Sequence, residues 1–314
     1  FFWIAYACHR ADILFYMPRP RLTLGVRRLI VLMVPGIIGA GVVQINLVID
    51  VVLASTLTEG SVSYLYYADR VNQLPLGVVG VAIGIALLPL LTRQLRNGEA
   101  EAARDSQNRA IEFALMLSAP ATAALIIAAE PIVTVLFQRG EFDVVATTAT
   151  AAALRAFAIG LPAYVLIKSL TPGYFARQDT KTPVQIAIAT VVLNILLALV
   201  LMQFLAHAGI ALATAIAAWL NAIALGVGLL RRGHLSFDDR LRRRTPRIVA
   251  AAVLMGAVVY AGVEGLAGPL AGTEAARIPA LVALVVAGLG TFVIFARLLG
   301  AFRFNDIQAA FSKN

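Results

Sequence analysis

The stretch SYLYYADRVNQLPLGVVGVAIGIALLPLL, residues Ser63 to Leu91, begins with tyrosines and a charged pair and continues as an apolar run broken by glycines and prolines. Its apolar part, 72–92, is long enough to cross a hydrocarbon core of ~30 Å, which takes roughly 20 helical residues. Asp69 and Arg70 stand at the entrance of that run. The stretch therefore predicts a membrane-spanning helix with an acid and a guanidinium at its mouth.

The composition of the whole chain also indicates a membrane environment. Hydrophobic residues make up 60% of the 314 and charged residues 14%, and the mean hydropathy is +0.85. Soluble domains are typically about 45–50% apolar and about 25% charged. The chain is therefore predicted to be a polytopic membrane protein.

The apolar runs end at charged or proline-rich borders, which predicts an all-α helical bundle with eight full spans. A ninth helix is expected to end within 1–17. Because the chain lacks an initiator Met and begins inside that helix, we expect it to be a fragment of a longer protein. The predicted spans are 28–55, 72–92, 110–129, 147–168, 184–205, 208–230, 246–267 and 277–299.

Basic residues alternate from one connection to the next. The first, third, fifth and seventh connections and the C-terminal tail hold 21 of the 26 Lys and Arg residues, while the other loops hold three. Because cytoplasmic loops retain basic residues, the tail is predicted to be cytoplasmic. The net charge of +9 then reflects topology and attraction to anionic lipid headgroups, and no nucleic-acid partner is expected. Cys8 stands alone, which excludes a disulfide framework within this sequence.

Polar residues inside predicted spans are the first candidates for function, because ionisable groups at depth are costly. Asp50 lies in the first full span with Asn46 one turn earlier, and Asn194 and Thr214 lie in later spans. Carboxylate, amide and hydroxyl oxygens suit a hard cation such as Na⁺, or a carboxyl that carries a proton. The alternative is that Asn194 and Thr214 only form hydrogen bonds between helices.

The pair at the mouth of 72–92 has two interpretations. In the first, the Arg70 side chain extends to the lipid headgroups and Asp69 caps the start of the helix. Alternatively, Arg70 points into a cavity and holds an anionic group, since a planar guanidinium is a bidentate donor to phosphate.

Enzyme signatures are missing from the sequence. No GxxxxGK[ST], HExxH or GxSxG motif occurs, and none of the three histidines has a second one at ligand spacing. The protein is therefore predicted not to be an enzyme and to need no cofactor. Any transport would draw on an ion gradient or on the membrane potential.

Four segments in order resemble one family. They are SVSYLYYADRVNQLPLGVVGVAIGIALLPLL, VLFQRGEFD, LPAYVLIKSLTPGYFARQDTKTPVQIA and GIALATAIAAWLNAIALG. Together they resemble the MurJ/MviN family of lipid II flippases, within the multidrug/oligosaccharidyl-lipid/polysaccharide exporter superfamily.

The resemblance implies a fold of fourteen helices in two lobes, of which this chain is similar to the C-terminal part. The expected regions are 1–17 as the end of the preceding helix, 18–27 as an inter-lobe linker, 28–230 as a six-helix bundle, 231–245 as a basic cytoplasmic loop, and 246–314 as two further helices with the tail.

The resemblance also implies a function and partners. The cargo would be lipid II, the undecaprenyl-diphosphate-linked sugar-pentapeptide, moved from the inner to the outer leaflet of the bacterial inner membrane by alternating access. The missing N-terminal lobe and membrane lipids would be the other partners. Alternatives are another lipid-linked oligosaccharide or a drug as cargo, or a membrane scaffold that binds lipid without moving it.

Carried over by motif, Arg70 in YYADR corresponds to a cavity arginine of the family, with Asp69 beside it. Asp50, Asn194, Thr214 and the backbone of Ile210 correspond to the Na⁺ site of some members. The second acid of that site would fall at Ala198. The loss of that carboxylate removes a charged ligand and counts against Na⁺, so the alternatives for Asp50 are a proton site or a structural role.

Overall fold

The computed structural model describes residues 23–301 together with Trp3, Tyr6 and Arg10. Every regular element in that part of the chain is a helix, so the predicted all-α class is confirmed. The helices are α1 Leu24–Ser55, α2 Ser61–Arg96, α3 Ala100–Ile127, α4 Ala129–Phe137, α5 Val144–Phe175, α6 Lys181–Arg231, α7 Asp239–Gly265, α8 Ala267–Ala271 and α9 Glu274–Leu298. The predicted helix end and linker before residue 23 lie largely outside the described residues.

Five of the described helices are long and apolar enough to cross a membrane: α3, α5, α6, α7 and α9. Helices suit this solvent because each backbone N–H and C=O finds its partner inside the same segment. The chain is therefore a multi-pass membrane protein.

The helix α6 folds back on itself at Ala206, whose φ of 48° and ψ of −132° are not helical. A straight helix of 51 residues would be about 77 Å long. Instead, Arg232 Nη1, just after its end, lies 2.6 Å from Asp179 Oδ2, just before its start. The two spans predicted as 184–205 and 208–230 are thus the first and second halves of one antiparallel hairpin.

The third, fifth and seventh connections, which are rich in basic residues, meet at one end of the bundle, which we call the basic end. Gln94 near the end of α2 donates a hydrogen bond of 3.0 Å to Ser106 in α3. Gln107 of α3 reaches the carbonyl of Ser169 near the end of α5. At the opposite end, the ring of His207 lies 2.8 Å from the carbonyl oxygen of Ala149, at the start of α5.

A charged cluster, which we call the clasp, joins α7 to α3 at the basic end. The carboxylate of Glu112 accepts hydrogen bonds from Arg109 and Arg244, each at 2.5 Å, and from Arg240 at 3.1 and 3.2 Å. Arg109 also pairs with Asp238, the N-cap of α7. The Glu112 side chain is only 8% exposed, so the clasp anchors the segment after α6 to the bundle.

Helix α5 packs through small side chains at the centre of the bundle. Gly160 lies against Ala215 of the second α6 half, where an added Cβ would come within 2.9 Å of the Ala215 Cα. The Trp219 indole donates 2.9 Å to the carbonyl of Ile159 beside it. Small residues allow such close approach between membrane helices, where van der Waals packing drives association.

Two local features differ from the expectations. The short helix α4 follows α3 after a break at Ala128. The sequence predicted only a connection between two spans in this region. The segment 231–245, expected as a loop, is helical from Asp239 onward. The Asp238 carboxylate accepts the N–H of Leu241 at 2.8 Å, which satisfies a free backbone donor and starts α7 early.

Candidate functional site: a polar cavity in the helical bundle

A cavity of about 650 Å³ lies between α1, α2, α5 and the two halves of α6. Much of its wall is apolar, as expected for residues that belong to membrane helices. Polar and charged side chains from distant parts of the sequence line it. They include Asn46, Asp50, Asp69, Lys168, Asn194 and Thr214.

Asp50, Asn46 and Asn194 form one hydrogen-bonded group on this wall. Asn46 Nδ2 donates a hydrogen bond of 3.1 Å to Oδ2 of Asp50, which lies one helical turn away. Asn194 Nδ2, from the first α6 half, donates 2.8 Å to Asn46 Oδ1 and lies 3.4 Å from Asp50 Oδ1. The structure therefore brings together two of the predicted cation ligands and adds Asn46 as their bridge.

The remaining predicted ligands lie on the second half of α6. Thr214 and Ile210 line the same cavity, and the Thr214 hydroxyl donates 3.0 Å to the Ile210 carbonyl. Ala198, one turn after Asn194, is fully buried and contributes no charge. The cavity thus holds the predicted set without its second acid.

This donor set fits a hard cation in its chemistry. Asn194 is only 2% exposed, and its Oδ1 atom has no hydrogen-bond partner within the described residues. A buried acceptor without a donor is costly unless a donor or a cation meets it. The Asp50 carboxylate, the Asn194 amide oxygen, the Thr214 hydroxyl and the Ile210 carbonyl would hold the ion. Among the described residues, no three His, Cys, Asp or Glu side chains form a metal-binding group.

Asp69 and Arg70 lie two turns inside α2, so the helix-cap interpretation of Asp69 is wrong. The helix begins at Ser61, and Gln73 donates to the Asp69 carboxylate. Asp69 lines the cavity, whereas Arg70 is an exposed residue outside its lining. The Arg70 guanidinium lies 4.8 Å from the centroid of the Tyr66 ring, and that ring lines the cavity.

Sequence reasoning assigned Lys168 to a cytoplasmic connection and missed its place in the cavity wall. The lysine reaches the wall because α5 continues to Phe175. Tyr164, one turn earlier, lines the same wall. The i, i+4 spacing of these two residues was the signal available in the sequence. Lys168 supplies a cation in a cavity where the described acids, Asp50 and Asp69, lie on other helices.

Comparison with known proteins gives a consistent match. A family model described as "Lipid II flippase MurJ" matches residues 5–272. A "Probable lipid II flippase MurJ" of Rhizobium meliloti (strain 1021) is 45% identical over 300 residues, which cover 95% of this chain and 56% of the relative. The relative of the same description from Rhizobium tropici is 49% identical over 240 residues, covering 76% and 45%. The chain thus spans about half the length of the curated relatives it matches.

Solved structures share the fold. A structure described as "Lipid II flippase MurJ, inward closed conformation" superposes with a TM-score of 0.69 at 24% identity, covering 95% of this chain and 60% of the other. An outward-facing multidrug resistance MATE family transporter of the MOP superfamily superposes with a TM-score of 0.59 at 16% identity, covering 84% and 62%. At these identities the similarity concerns the fold alone.

Proposed function

Because this chain belongs to the lipid II flippase MurJ family, we propose that it acts in the translocation of lipid II across the bacterial inner membrane. The lipid-linked peptidoglycan precursor moves from the inner to the outer leaflet by alternating access. The undecaprenyl chain stays in the lipid while the polar diphosphate and sugars pass through the protein.

The cavity is the observation that carries this proposal. A charged, sugar-bearing headgroup cannot cross hydrocarbon without a large desolvation cost. A space of about 650 Å³ lined by Asp50, Asp69, Lys168 and Asn194 replaces part of its water with fixed polar groups. Lys168 in the wall and Arg70 at its rim, over Tyr66, are the cations suited to the diphosphate.

Arg70 needs a side-chain movement to act on cargo inside the cavity. Its present partners are the Tyr66 ring and the Gln73 amide oxygen at 3.4 Å, both weak contacts on an exposed surface. When Arg70 leaves these neutral partners and binds a diphosphate, it forms charge-assisted hydrogen bonds, which are stronger. Asp69, which accepts a hydrogen bond from Gln73, lines the cavity beside Arg70.

The topology that suits this function has eight full spans in one lobe, with the C-terminus in the cytoplasm. Five described helices of spanning length and the hairpin at Ala206 support the count. The meeting of the arginine-rich connections at one end supports the orientation, because cytoplasmic loops retain basic residues. The N-terminal half that the relatives possess would complete the cavity from the other side.

Coupling to an ion is proposed at Asp50. Asn194 and Thr214 provide further oxygens, and a cation there would neutralise the carboxylate in a low-dielectric site. A proton on Asp50 would serve the same purpose with fewer ligands. Ala198 leaves the site with one acid, so a bound monovalent cation would leave it electrically neutral.

The test is lipid II exposure on the outer face of cells depleted of their own flippase. The gene is expressed with any coding sequence that precedes it, as wild type, Arg70→Ala and the exposed control Arg139→Ala. We expect wild type and Arg139→Ala to restore exposure and Arg70→Ala to lose most of it. Failure of inserted wild type would point to another lipid-linked sugar or a drug as cargo, and equal activity of Arg70→Ala would contradict the role of Arg70.

A further inference from the structure

Two amide side chains in the cavity have no role in the group around Asp50. Asn72 projects from α2 and Asn221 from the second half of α6, and both line the cavity. Each has a buried Oδ1 atom without a hydrogen-bond partner within the described residues. Asn72 is only 2% exposed, so it is an unpartnered polar group in the wall of an open space.

The other cavity amides differ in that the NH₂ group of each donates a hydrogen bond, although the Oδ1 atom of Asn194 also lacks a partner within the described residues. Asn46 donates to Asp50, Asn194 donates to Asn46 and to Asp50, and Gln73 donates to Asp69. For Asn72 and Asn221, the structure shows no side-chain hydrogen bond in the part of the chain it describes. Burying an amide without a partner is unfavourable, so their place in the wall indicates a partner supplied from inside the cavity.

Both amides lie further towards the basic end than the nearest predicted site residue on their own helix. Asn221 follows Thr214 by seven residues, two turns along the same helix face, or about 10 Å nearer the basic end. Asn72 follows Asp69 by three residues and lies on the same face of α2. Both amides are neutral and lie on the basic-end side of Asp69 and Thr214 along their helices, and Tyr164 lines the same cavity.

The chemistry of a neutral amide narrows the ligand. A carboxamide offers an acceptor oxygen and two donor hydrogens at once, which matches adjacent hydroxyls or an acetamido group of a sugar. A diphosphate only accepts hydrogen bonds and is held best by cations, and a hard metal ion would bind the amide oxygen and leave the NH₂ group unused. The ring of Tyr164 adds an apolar face with a polar tip of the kind that packs on a sugar ring.

We propose that Asn72 and Asn221 bind the saccharide part of the lipid-linked cargo and distinguish sugar-bearing from sugar-free polyprenyl diphosphates. This inference rests on the proposed function and extends it. The diphosphate is recognised by cations, while the two amides recognise the hydroxyl and acetamido groups.

The test compares two probes on the protein expressed with any coding sequence that precedes it and purified into lipid nanodiscs. Lipid II carries the sugars, and undecaprenyl diphosphate does not. Kd is measured for both with wild type, Asn72→Leu, Asn221→Leu and the control Thr190→Val. Thr190 lines the same cavity, but its hydroxyl already donates to the carbonyls of Ile186 and Ala187 at 3.0 Å.

We expect each leucine variant to weaken lipid II binding about tenfold and to leave undecaprenyl diphosphate binding within about twofold of wild type. Thr190→Val should change neither. Equal weakening of both probes, or no change in either, would overturn the proposal and leave the amides as binders of buried water. Should a leucine variant fail to fold, Asn72→Ser and Asn221→Ser remove the amide in a smaller, polar form and carry the same expectation.

Wild type alone separates this inference from the proposed function. Binding of lipid II no tighter than undecaprenyl diphosphate would overturn the sugar-binding role while leaving a flippase that recognises the diphosphate. Binding of neither probe would contradict the proposed function itself.

Discussion

The guanidinium of Arg232 lies 2.6 Å from the carboxylate of Asp179, and this pair closes the hairpin of α6 at the basic end. Thr182 adds to it, since its N–H and hydroxyl donate to the same carboxylate at 3.0 and 2.7 Å. Burial alone would raise the pKa of Asp179, but these hydrogen bonds and the charge of Arg232 outweigh it and lower the pKa. The two halves of α6 each line the cavity, so the pair that joins their ends holds together two parts of its wall.

We expect Asp179→Asn to lower the thermal unfolding midpoint by about 1–3 °C, because a partly exposed ion pair contributes about 0.5–1 kcal/mol. The lowered pKa means that this contribution is fully present above the ordinary carboxyl pKa of about 3.9 and is lost as pH falls through the folded value. The difference between wild type and variant should therefore vanish in acid. Arg232→Gln should match Asp179→Asn, and Arg231→Gln, at the neighbouring exposed position, should have no effect.

Glu112→Gln should destabilise the protein far more than Asp179→Asn does. The variant leaves the guanidinium groups of Arg109, Arg240 and Arg244 without their shared carboxylate, and breaking a buried charge group costs about 3–5 kcal/mol. Limited proteolysis of the segment between α6 and α7 reports whether α7 has come loose. Glu101→Gln, an exposed acid on the same helix, is the control, and equal protease resistance of the two variants would contradict the anchoring role.

Gly160→Ala tests the close packing of α5 on the second half of α6. The new Cβ would lie 2.9 Å from the Cα of Ala215, a backbone atom that cannot move without its helix, so we expect a loss of about 1–3 kcal/mol. Gly226→Ala is matched to it, because its Cβ would meet only Leu170 at an ordinary 3.9 Å. Thermal unfolding should show Gly226→Ala at or above wild type, and a similar loss in both variants would refute the packing argument.

Asp50→Asn tests the proposed ion site. If Na⁺ binds at Asp50, Asn194 and Thr214, Na⁺ should raise the unfolding midpoint of wild type above that in choline, since a ligand of the folded state stabilises it. Removing the only carboxylate of the set should lower the apparent Na⁺ affinity at least about tenfold. Ala198→Asp adds a second acid to the site. We expect this variant to be less stable than wild type without Na⁺ and to recover its stability when Na⁺ is added.

A proton at Asp50 in place of Na⁺ predicts a different result. A midpoint of wild type that ignores Na⁺ but shifts with pH, with the shift absent in Asp50→Asn, would assign the site to a proton. A Na⁺ response that survives in Asp50→Asn would remove Asp50 from the site altogether.

Hydropathy determined the all-helical membrane class and the approximate positions of the helices, whereas α2 begins at Ser61 and α3 at Ala100, well before the predicted spans. Class and approximate position are local properties, since roughly 20 apolar residues cross the membrane wherever they occur. The break in α6 near Ala206 was also readable, because the run from 184 to 230 is too long for one crossing. The family, too, was recognisable from the motifs around Arg70 and Arg139.

Tertiary structure decided which polar residues meet. Asp50 and Asn194 are 144 positions apart, and only the packing of α1 on the first half of α6 brings their side chains within 3.4 Å. Lys168 lies in the cavity wall and Arg70 outside it, a distinction set by the rotation of each helix about its axis. Hydropathy does not specify that rotation in a bundle whose helices are apolar on most faces, since side-chain packing between helices determines it.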